Sequence, residues 1–286
     1  MGSFGGLAFI VLVMSAVVCV NGNLYDEFST WSPGNVRWLA DGKSVSISLD
    51  QASSAGVSSN TKYVYGTFGA WIKLPPFDSA GTVTTFYLSS PFPSQCEFDF
   101  EFLGNKSGQP FLLHTNVFVD GVGGREQQIF FPDGFDPTAD FHFYSFDWTA
   151  DSVVFRVDNQ PIREFKNLAG QVPNFTFCKT KPMGLFFSIW DGSSWATRGG
   201  QDKIDFSHAP FTATYTNFVM DGCVATGQAD AQACQSDRRA HSSALTTQEV
   251  AGMESIRSNP ARVKYNYCDD RNRYPTAPPE CAYNAM

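Results

Sequence analysis

Three acidic residues stand on one side of a short segment near the first third of the chain. In the run CEFDFEFLGN, residues 96–105, Glu97, Asp99 and Glu101 alternate with phenylalanines. A β-strand points successive side chains to opposite faces, so this alternation predicts a strand with one acidic and one aromatic face. Like charges side by side on a strand face repel each other. Packing of the core therefore does not explain why three acids stand on one face, and a functional role would.

The spacing of the two glutamates suits chemistry on a glycosidic bond. The Cα atoms of Glu97 and Glu101 lie roughly 13 Å apart in a strand, and side chains that lean together close most of that gap. Carboxyl groups about 5–5.5 Å apart form the retaining-glycosidase pair of nucleophile and general acid/base. Asp99 between them can hydrogen-bond one glutamate and separate the two pKa values. A solvated sheet face and a calcium site are the open alternatives.

Composition narrows the classes of ligand. The formal net charge of −8 argues against nucleic acid or an anionic membrane as partner and permits a neutral ligand. The 27 Phe, 10 Tyr and 6 Trp provide more aromatic surface than one core requires. The chain has no CxxC motif and its four histidines are scattered, which disfavours zinc. We expect no metal and no cofactor.

The N-terminus predicts secretion. Residues 1–22 form an apolar run that ends in small residues and has no charged stop-transfer flank, as in a secretory signal peptide. Asn105 and Asn174 begin acceptor sequons for N-glycosylation.

Six cysteines follow the signal, and in an oxidising compartment they can pair in about fifteen ways. Short spacings favour the pairs Cys223–Cys234 and Cys268–Cys281. Cys96 and Cys178 stay open between free buried thiols and a third bridge.

The middle of the chain reads as consecutive strands. Alternating apolar residues and turn signals recur in KSVSISLD, FHFYSFDWTADSVVFRVDNQP, PMGLFFSIW and FTATYTNF. This pattern predicts an all-β fold, an antiparallel β-sandwich (jelly roll), with the catalytic domain over residues 23–220. Residues 221–286 differ, with a helical pattern in TTQEVAGMESIRSN followed by the strand-like RVKYNYC. We predict a disulfide-stapled C-terminal helix-and-strand extension packed on the sandwich.

The acid strand also resembles a known family. EFDFEFLGN is similar to the ExDxE signature of glycoside hydrolase family 16, and most closely to plant xyloglucan endotransglucosylase/hydrolases, whose motif reads HDEIDFEFLGN. The resemblance continues through SAGTVTTFYLSS, LLHTNVFVDGVGGREQQ, SIWDGSSWATRGGQDKIDFSHAPF and YNYCDDRNRYPTAPPEC. It implies that Glu97 is the nucleophile, Glu101 the general acid/base and Asp99 their helper. Asn105 matches the family's glycosylated asparagine.

The same resemblance implies a sugar-binding cleft lined by Tyr87, His114, Asn116, Arg125, Glu126, Trp195, Gly200 and Arg273. On residue type alone, Trp190 and Trp195 offer aromatic faces for stacking on sugar rings. Asn116 and Arg125 are also plausible hydroxyl donors on chemistry alone. Core packing is the alternative for both tryptophans. The cleft is favoured for Trp195, and Trp190 stays open. His114 is equally well explained as a structural histidine.

Four positions depart from the family pattern. Gln95 and Cys96 replace its usual His and Asp, and Cys96 points away from the acids by alternation. Pro33 replaces a family tryptophan and Ser54 a glycine, both beside the donor side of the cleft. Loss of an aromatic platform predicts a hetero-transglucanase variant with altered donor preference.

We therefore predict a secreted, monomeric endo-transglucosylase of the cell wall (apoplast). It cuts a β-1,4-linked glucan (xyloglucan, mixed-linkage glucan or cellulose) by a retaining mechanism and transfers the new end to a xyloglucan-type acceptor. Its partners are wall β-glucans as donor and acceptor, with neither nucleic acid nor membrane. The alternatives are a hydrolase of the same glucans and a non-catalytic glucan-binding jelly roll.

Overall fold

The computed structural model describes residues 23–241 and 244–283. The predicted signal peptide, residues 1–22, lies outside the described residues. Within the described ranges, no helix is long and apolar enough to cross a membrane.

Two antiparallel sheets pack face to face and build the predicted β-sandwich. In the described residues the larger sheet has the strand order β1 (Phe28–Trp31), β4 (Ala55–Ser59), β13 (Gly184–Asp191), β6 (Thr82–Ser89), β7 (Glu97–Leu103), β8 (Leu112–Phe118), β9 (Gln127–Phe130) and β15 (Val263–Asn266). The smaller sheet has the order β12 (Gln160–Lys166), β11 (Ser152–Val157), β10 (His142–Trp148), β5 (Tyr63–Lys73), β14 (Phe211–Val224), β3 (Ser44–Leu49) and β2 (Val36–Trp38). The all-β sandwich prediction is confirmed.

The helices are few and lie mostly near the C-terminus. They are α1 (Gln228–Ala233) and α2 (Thr247–Arg257). Short 3₁₀ turns span Leu24–Glu27, Pro33–Asn35, Thr197–Gly200, Phe206–His208, Cys234–Ser236, Arg238–Ala240, Tyr267–Asp269 and Pro279–Ala282. Helix α2 begins with a capping box between Thr246 and Glu249 and buries Met253, as the helical spacing predicts.

Aromatic side chains between the sheets form the core. Phe98, Phe100 and Phe102 of β7 are fully buried, and the Phe100 ring lies 4.8 Å from that of Phe146 on β10. The turn predicted at Asp158-Asn159 has both residues at positive φ, 48° and 65°, which suits the tight connection between β11 and β12. Burial of one face of β7 thus holds its acidic face outward.

The C-terminal segment joins the sandwich. β15 pairs antiparallel with β9 at the edge of the larger sheet. Arg156 of β11 donates to Glu249 of α2 at 2.7 Å and to Asp147 of β10 at 2.6 Å. The extension therefore lengthens the face that β7 presents to solvent.

Three disulfide bonds are present among the described residues: Cys96–Cys178, Cys223–Cys234 and Cys268–Cys281. The two local pairings are those that the short spacings favour. The pair left open in the sequence forms a bond across 82 residues and ties the start of β7 to the segment before β13.

Candidate active site

The outer face of the larger sheet carries a continuous row of paired residues from edge to edge. The row runs Trp31, Gly56, Ser188, Thr85, Glu101, His114, Gln128 and Tyr265. At a strand spacing of about 4.8 Å, it is about 34 Å long. A polymer lying across the strands would follow it.

The three acids stand in the middle of this face. Glu101 lies in the long row, Asp99 opposite Tyr87 and Asn116 in the next, and Glu97 opposite Ser89 and Phe118 in a third. Asp99 is 5% exposed, and Glu97 and Glu101 are partly buried. The alternation predicted from the sequence therefore brings the acids together on one face.

Burial decides how these acids titrate. The pKa of Glu101 rises to about 7, mainly through burial and then through the charges of Glu97 and Glu126. The pKa of Glu97 also rises through burial, but a hydrogen bond with Ser89 opposes the rise. The pKa of Asp99 rises well above its ordinary value through burial and both glutamates. Glu101 therefore keeps its proton at a pH where Glu97 loses its own more readily.

Two carboxylate oxygens in the cluster are buried without a hydrogen-bond partner among the described residues. They are Oδ2 of Asp99 and Oε2 of Glu101. Unpaired buried oxygens are unfavourable for folding. An ionised carboxylate can accept from a sugar hydroxyl through such an oxygen, and a protonated one can donate from it to a glycosidic oxygen.

His114 lies beside Glu101 as a neutral ring. The Gln128 amide lies 3.0 Å from its Nδ1 and donates to it, which leaves the ring proton on Nε2. Burial, and then the charge of Arg163, lowers the pKa of His114 to about 4. The ring meets Trp195 edge to face at 5.7 Å. His114 is both part of the site and structurally satisfied.

Tyr87, Trp190 and Trp195 provide aromatic surface on this face. The Tyr87 ring stacks on Phe186 at 5.1 Å. Trp190 and Trp195 lie 6.1 Å apart and are both partly exposed. Trp195 also borders a cavity of about 650 Å³ whose other lining residues include Asn105, Gln128 and Lys264.

Arg125, which the sequence predicts as a hydroxyl donor, is held by contacts within the protein. Its Nε lies 3.1 Å from Glu280, and its Nη1 donates to the carbonyl of Val122 at 2.7 Å. These contacts favour a brace between the loop after β8 and the C-terminal segment. Asn116 accepts from the amides of Val117 and Arg125 through Oδ1, and so fixes the same loop.

The remaining predicted residues divide between rim and support. Arg273 pairs with Glu126 at 2.8 Å on the side of the face formed by β9 and β15. Gly200 is buried, and a Cβ there would lie 2.3 Å from the Ser194 carbonyl oxygen. Gly200 therefore shapes the Trp195 loop by close backbone approach.

The two sequons occupy different settings. Asn105 borders the cavity beside Trp195 and donates to the Pro110 carbonyl at 2.9 Å. Asn174 is exposed at positive φ. No group of three or more His, Cys, Asp or Glu able to hold a metal occurs in the described part of the chain.

Sequence reasoning missed several residues of the face. Trp31 is 40% exposed at its β1 edge, and its indole lies against Gly56, where a Cβ would come within 1.7 Å of Trp31 Cζ2. The hydroxyls of Thr85 and Ser188 bond each other at 2.7 Å. Their place beside the acids depends on strand register, which local sequence patterns do not give.

Comparison with known proteins agrees with this geometry. Residues 25–208 match the family described as Glycosyl hydrolases family 16, and residues 233–281 match the Xyloglucan endo-transglycosylase (XET) C-terminus. The chain is 41% identical over 285 residues to Xyloglucan endotransglucosylase/hydrolase protein 9 of Arabidopsis thaliana, covering 97% of this chain and 96% of that one. It is 44% identical over 255 residues to Xyloglucan endotransglucosylase protein 34 of Populus tremula x Populus tremuloides, covering 88% and 85%.

Solved structures share the fold at lower identity. A Bacillus licheniformis beta-glucanase superposes with a TM-score of 0.50 at 24% identity, covering 65% of this chain and 80% of that one. The Apo Crh5 transglycosylase gives a TM-score of 0.53 at 20% identity, covering 73% and 86%. These two similarities concern the sandwich fold alone.

Proposed function

We propose a function from one premise: this chain belongs to glycosyl hydrolase family 16, and within it to the plant xyloglucan endotransglucosylase/hydrolases, and is a glycosyl-transferring enzyme. The proposed activity is that of a secreted, retaining endo-transglucosylase. It cuts a β-1,4-linked wall glucan and transfers the new end to a xyloglucan-type acceptor chain.

One observation supports this proposal most strongly. One buried and two partly buried acids, whose pKa values are all raised, stand midway along an open face that is crossed by aromatic and hydroxyl side chains. A binding module has no need of buried carboxylates with unpaired oxygens, since these are unfavourable for folding. A catalyst of glycosidic bond exchange does need them.

The chemistry runs as a double displacement. The Glu97 carboxylate attacks the anomeric carbon, the bond to the leaving glucan breaks, and Glu101 gives its proton to the leaving oxygen. Glu101 then takes a proton from the 4-hydroxyl of the acceptor, whose oxygen displaces Glu97 from the anomeric carbon. In hydrolysis, water takes the place of the acceptor hydroxyl. Asp99 lies between the two glutamates and helps to keep each of them in the protonation state that its step requires.

Transfer is favoured by the long acceptor side. β15 adds Tyr265 to the end of the row beyond Gln128, and Lys264 borders the adjoining cavity. Additional surface beyond the acids allows a chain to bind where water would otherwise react. Three disulfides and two sequons support action outside the cell.

The donor side supports a broad choice of glucan. Pro33 begins the 3₁₀ turn Pro33–Asn35 just after β1, and Asn35 of that turn donates to the carbonyl of Ser53, the neighbour of Ser54, at 3.1 Å. Pro33 is exposed and Ser54 is partly exposed. A family tryptophan replaced by proline removes a stacking surface there, so mixed-linkage glucan and cellulose are proposed as donors beside xyloglucan.

The test is a transfer assay with one labelled xyloglucan oligosaccharide and three unlabelled donors: xyloglucan, mixed-linkage glucan and cellulose. Incorporation of label into polymer is expected with each donor and exceeds the release of reducing ends. Release of reducing ends without incorporation would indicate a hydrolase. Retention of labelled sugar without either product would indicate a binding module.

A further inference from the structure

A buried arginine lies on the core side of the larger sheet, beneath the acids. Arg163 is in the middle of β12 and is 2% exposed. Its guanidinium carbon lies 5.3 Å from the centre of the Phe155 ring. Arg163 does not face the cleft, and it takes no part in the double displacement described above.

The guanidinium of Arg163 is satisfied by neutral oxygens. Nη1 donates to the Thr115 carbonyl at 3.1 Å and to the Thr115 hydroxyl at 2.9 Å. Nη2 donates to the Arg125 carbonyl at 2.7 Å. No carboxylate within the described residues comes within 4.0 Å of it. A buried cation without an acid beside it is unfavourable for folding, so some other charge must compensate it.

Three groups favour the charged form of Arg163: Tyr267, Glu126 and Asp99. The position of Thr115 relates the last of these to the acid strand. Thr115 pairs with Phe100 across β8 and β7, and the next pairs on either side are His114 with Glu101 and Asn116 with Asp99. Arg163 therefore contacts β8 at the level of the acids, from the opposite face of the sheet. One layer of backbone separates the cation from a cluster of acids that is itself buried.

We propose that Arg163 is a positioning residue for the reaction: it is the counter-charge of the acid strand and acts through the sheet without contacting the substrate. Its guanidinium stabilises the negative charge of Asp99, the acid between the two glutamates. The inference rests on the function proposed above and adds to it a residue that sets the charge of the site.

The surrounding charges agree with this role. Arg163 lowers the pKa of Asp99, against burial and the two glutamates. It is the second cause, after burial, of the low pKa of His114. Burial lowers the pKa of Arg163 itself to about 10, so it remains charged at neutral pH. The titratable or charged groups that face this region are Tyr87, Glu97, Asp99, Glu101, His114, Arg125, Glu126 and Tyr267.

The test compares three variants of the full chain. Arg163→Gln removes the charge and keeps a donor, Arg163→Lys keeps a cation, and Thr115→Val removes one hydrogen bond while leaving the charge. The measurements are the pH profile of kcat/KM for transfer and the NMR titration of His114, assigned by its loss in His114→Gln.

Loss of the cation raises the pKa of Asp99, which Arg163 lowers in the wild type. In Arg163→Gln the acidic limb of the pH profile is expected to move up by several tenths of a pH unit, with a larger loss of rate at acidic pH than at pH 8, because Asp99 then ionises at a higher pH. The His114 pKa rises in the same variant. Thr115→Val and Arg163→Lys are expected to have the same pH profile as the wild type near neutral pH, although their thermal unfolding midpoints should fall.

An unchanged acidic limb and an unchanged His114 titration in a folded Arg163→Gln would overturn the proposal and leave Arg163 as a brace. Should Arg163→Gln fail to fold, Asp99→Asn in the same chain is expected to restore soluble yield, because it removes one uncompensated acid. Absence of that rescue would also overturn the proposal. The His114 titration needs no turnover, so a failure of the proposed enzyme activity is distinguishable from a failure of this inference.

Discussion

The two faces of β7 meet opposite physical demands within seven residues. On the inner face, Phe98, Phe100 and Phe102 are fully buried, and each buried ring favours folding by a few kcal/mol. On the outer face, burial raises the pKa values of Glu97, Asp99 and Glu101. The aromatic face stabilises the strand, and the acidic face opposes that stabilisation at neutral pH.

Because the two faces differ in this way, effects on folding and effects on catalysis can be separated by experiment. Substitutions on the inner face should reduce stability and alter chemistry only through unfolding. Substitutions on the outer face should remove chemistry and leave the fold intact or stabilise it. The predictions below test this separation.

The largest effect is expected at the proposed nucleophile. Glu97→Ala removes the carboxylate that we propose bonds to the anomeric carbon, so transfer should fall by about 10⁴-fold or more, the scale seen when covalent nucleophiles are removed. The thermal midpoint should stay at or above that of the wild type. Near-wild-type transfer by this variant would refute the nucleophile assignment.

Glu101→Ala is the companion variant for the proposed general acid. Its transfer activity should also fall severely, and donors with leaving groups that need no protonation should partly restore it. Equal losses with good and poor leaving groups would argue against Glu101 as the proton donor.

The next largest effect is expected on the inner face. Phe100→Ala should lower the free energy of unfolding by about 3–5 kcal/mol, because it leaves a cavity among packed rings. Denaturant unfolding measures this change. Phe77→Ala is a matched control, since Phe77 is 81% exposed, and its effect should stay within about 0.5 kcal/mol. Equal losses of unfolding free energy in Phe100→Ala and Phe77→Ala would contradict the claim that burial of the inner face stabilises the strand.

A smaller effect of opposite sign is expected from Glu101→Gln. The pKa of Glu101 is about 7 in the fold against an ordinary 4.5, so the unfolded chain loses its proton first. This residue therefore reduces stability progressively as the pH rises from about 4.5 to 7. Glutamine does not titrate, so the variant should be more stable than the wild type at pH 8, by up to about 3 kcal/mol.

The same variant should match the wild type at pH 4, where Glu101 is protonated in both states. Exposed Glu254 offers the control Glu254→Gln, which should show no comparable gain at pH 8. A Glu101→Gln variant that is less stable than the wild type at pH 8 would contradict the claim that the charged form of Glu101 destabilises the fold.

The smallest effect is expected at the edge of the face, far from β7. Pro33→Trp with Ser54→Gly should shift the ratio of rates toward xyloglucan over mixed-linkage glucan and cellulose. An added stacking contact is worth on the order of 1 kcal/mol, which corresponds to a few-fold change in ratio. A fixed ratio across the three donors would make both positions structural and leave xyloglucan as the simplest donor.

Local pattern predicted part of this molecule well. Alternation assigned Glu97 and Phe98 to opposite faces of a strand, and helical spacing placed α2, because both depend on neighbours in the chain. Short loops likewise favoured the bond between Cys223 and Cys234.

Contacts between residues that are distant in the chain could not be predicted from local patterns. The bond between Cys96 and Cys178 spans 82 residues, and no local spacing selects it. Trp31 belongs to the row of Glu101 only through the register of several intervening strands. Arg125 has the chemistry of a hydroxyl donor, yet Glu280, 155 residues away, binds its guanidinium.

The most direct test of the central claim is to trap the glycosyl-enzyme. The wild-type chain is incubated with a mechanism-based glucan-oligosaccharide inactivator and digested, and the modified peptide is sequenced by mass spectrometry. We expect one sugar attached through an ester to Glu97, protection by excess donor glucan, and no labelling of Glu97→Ala. Attachment at Asp99 or Glu101, or full turnover without a covalent intermediate, would contradict it.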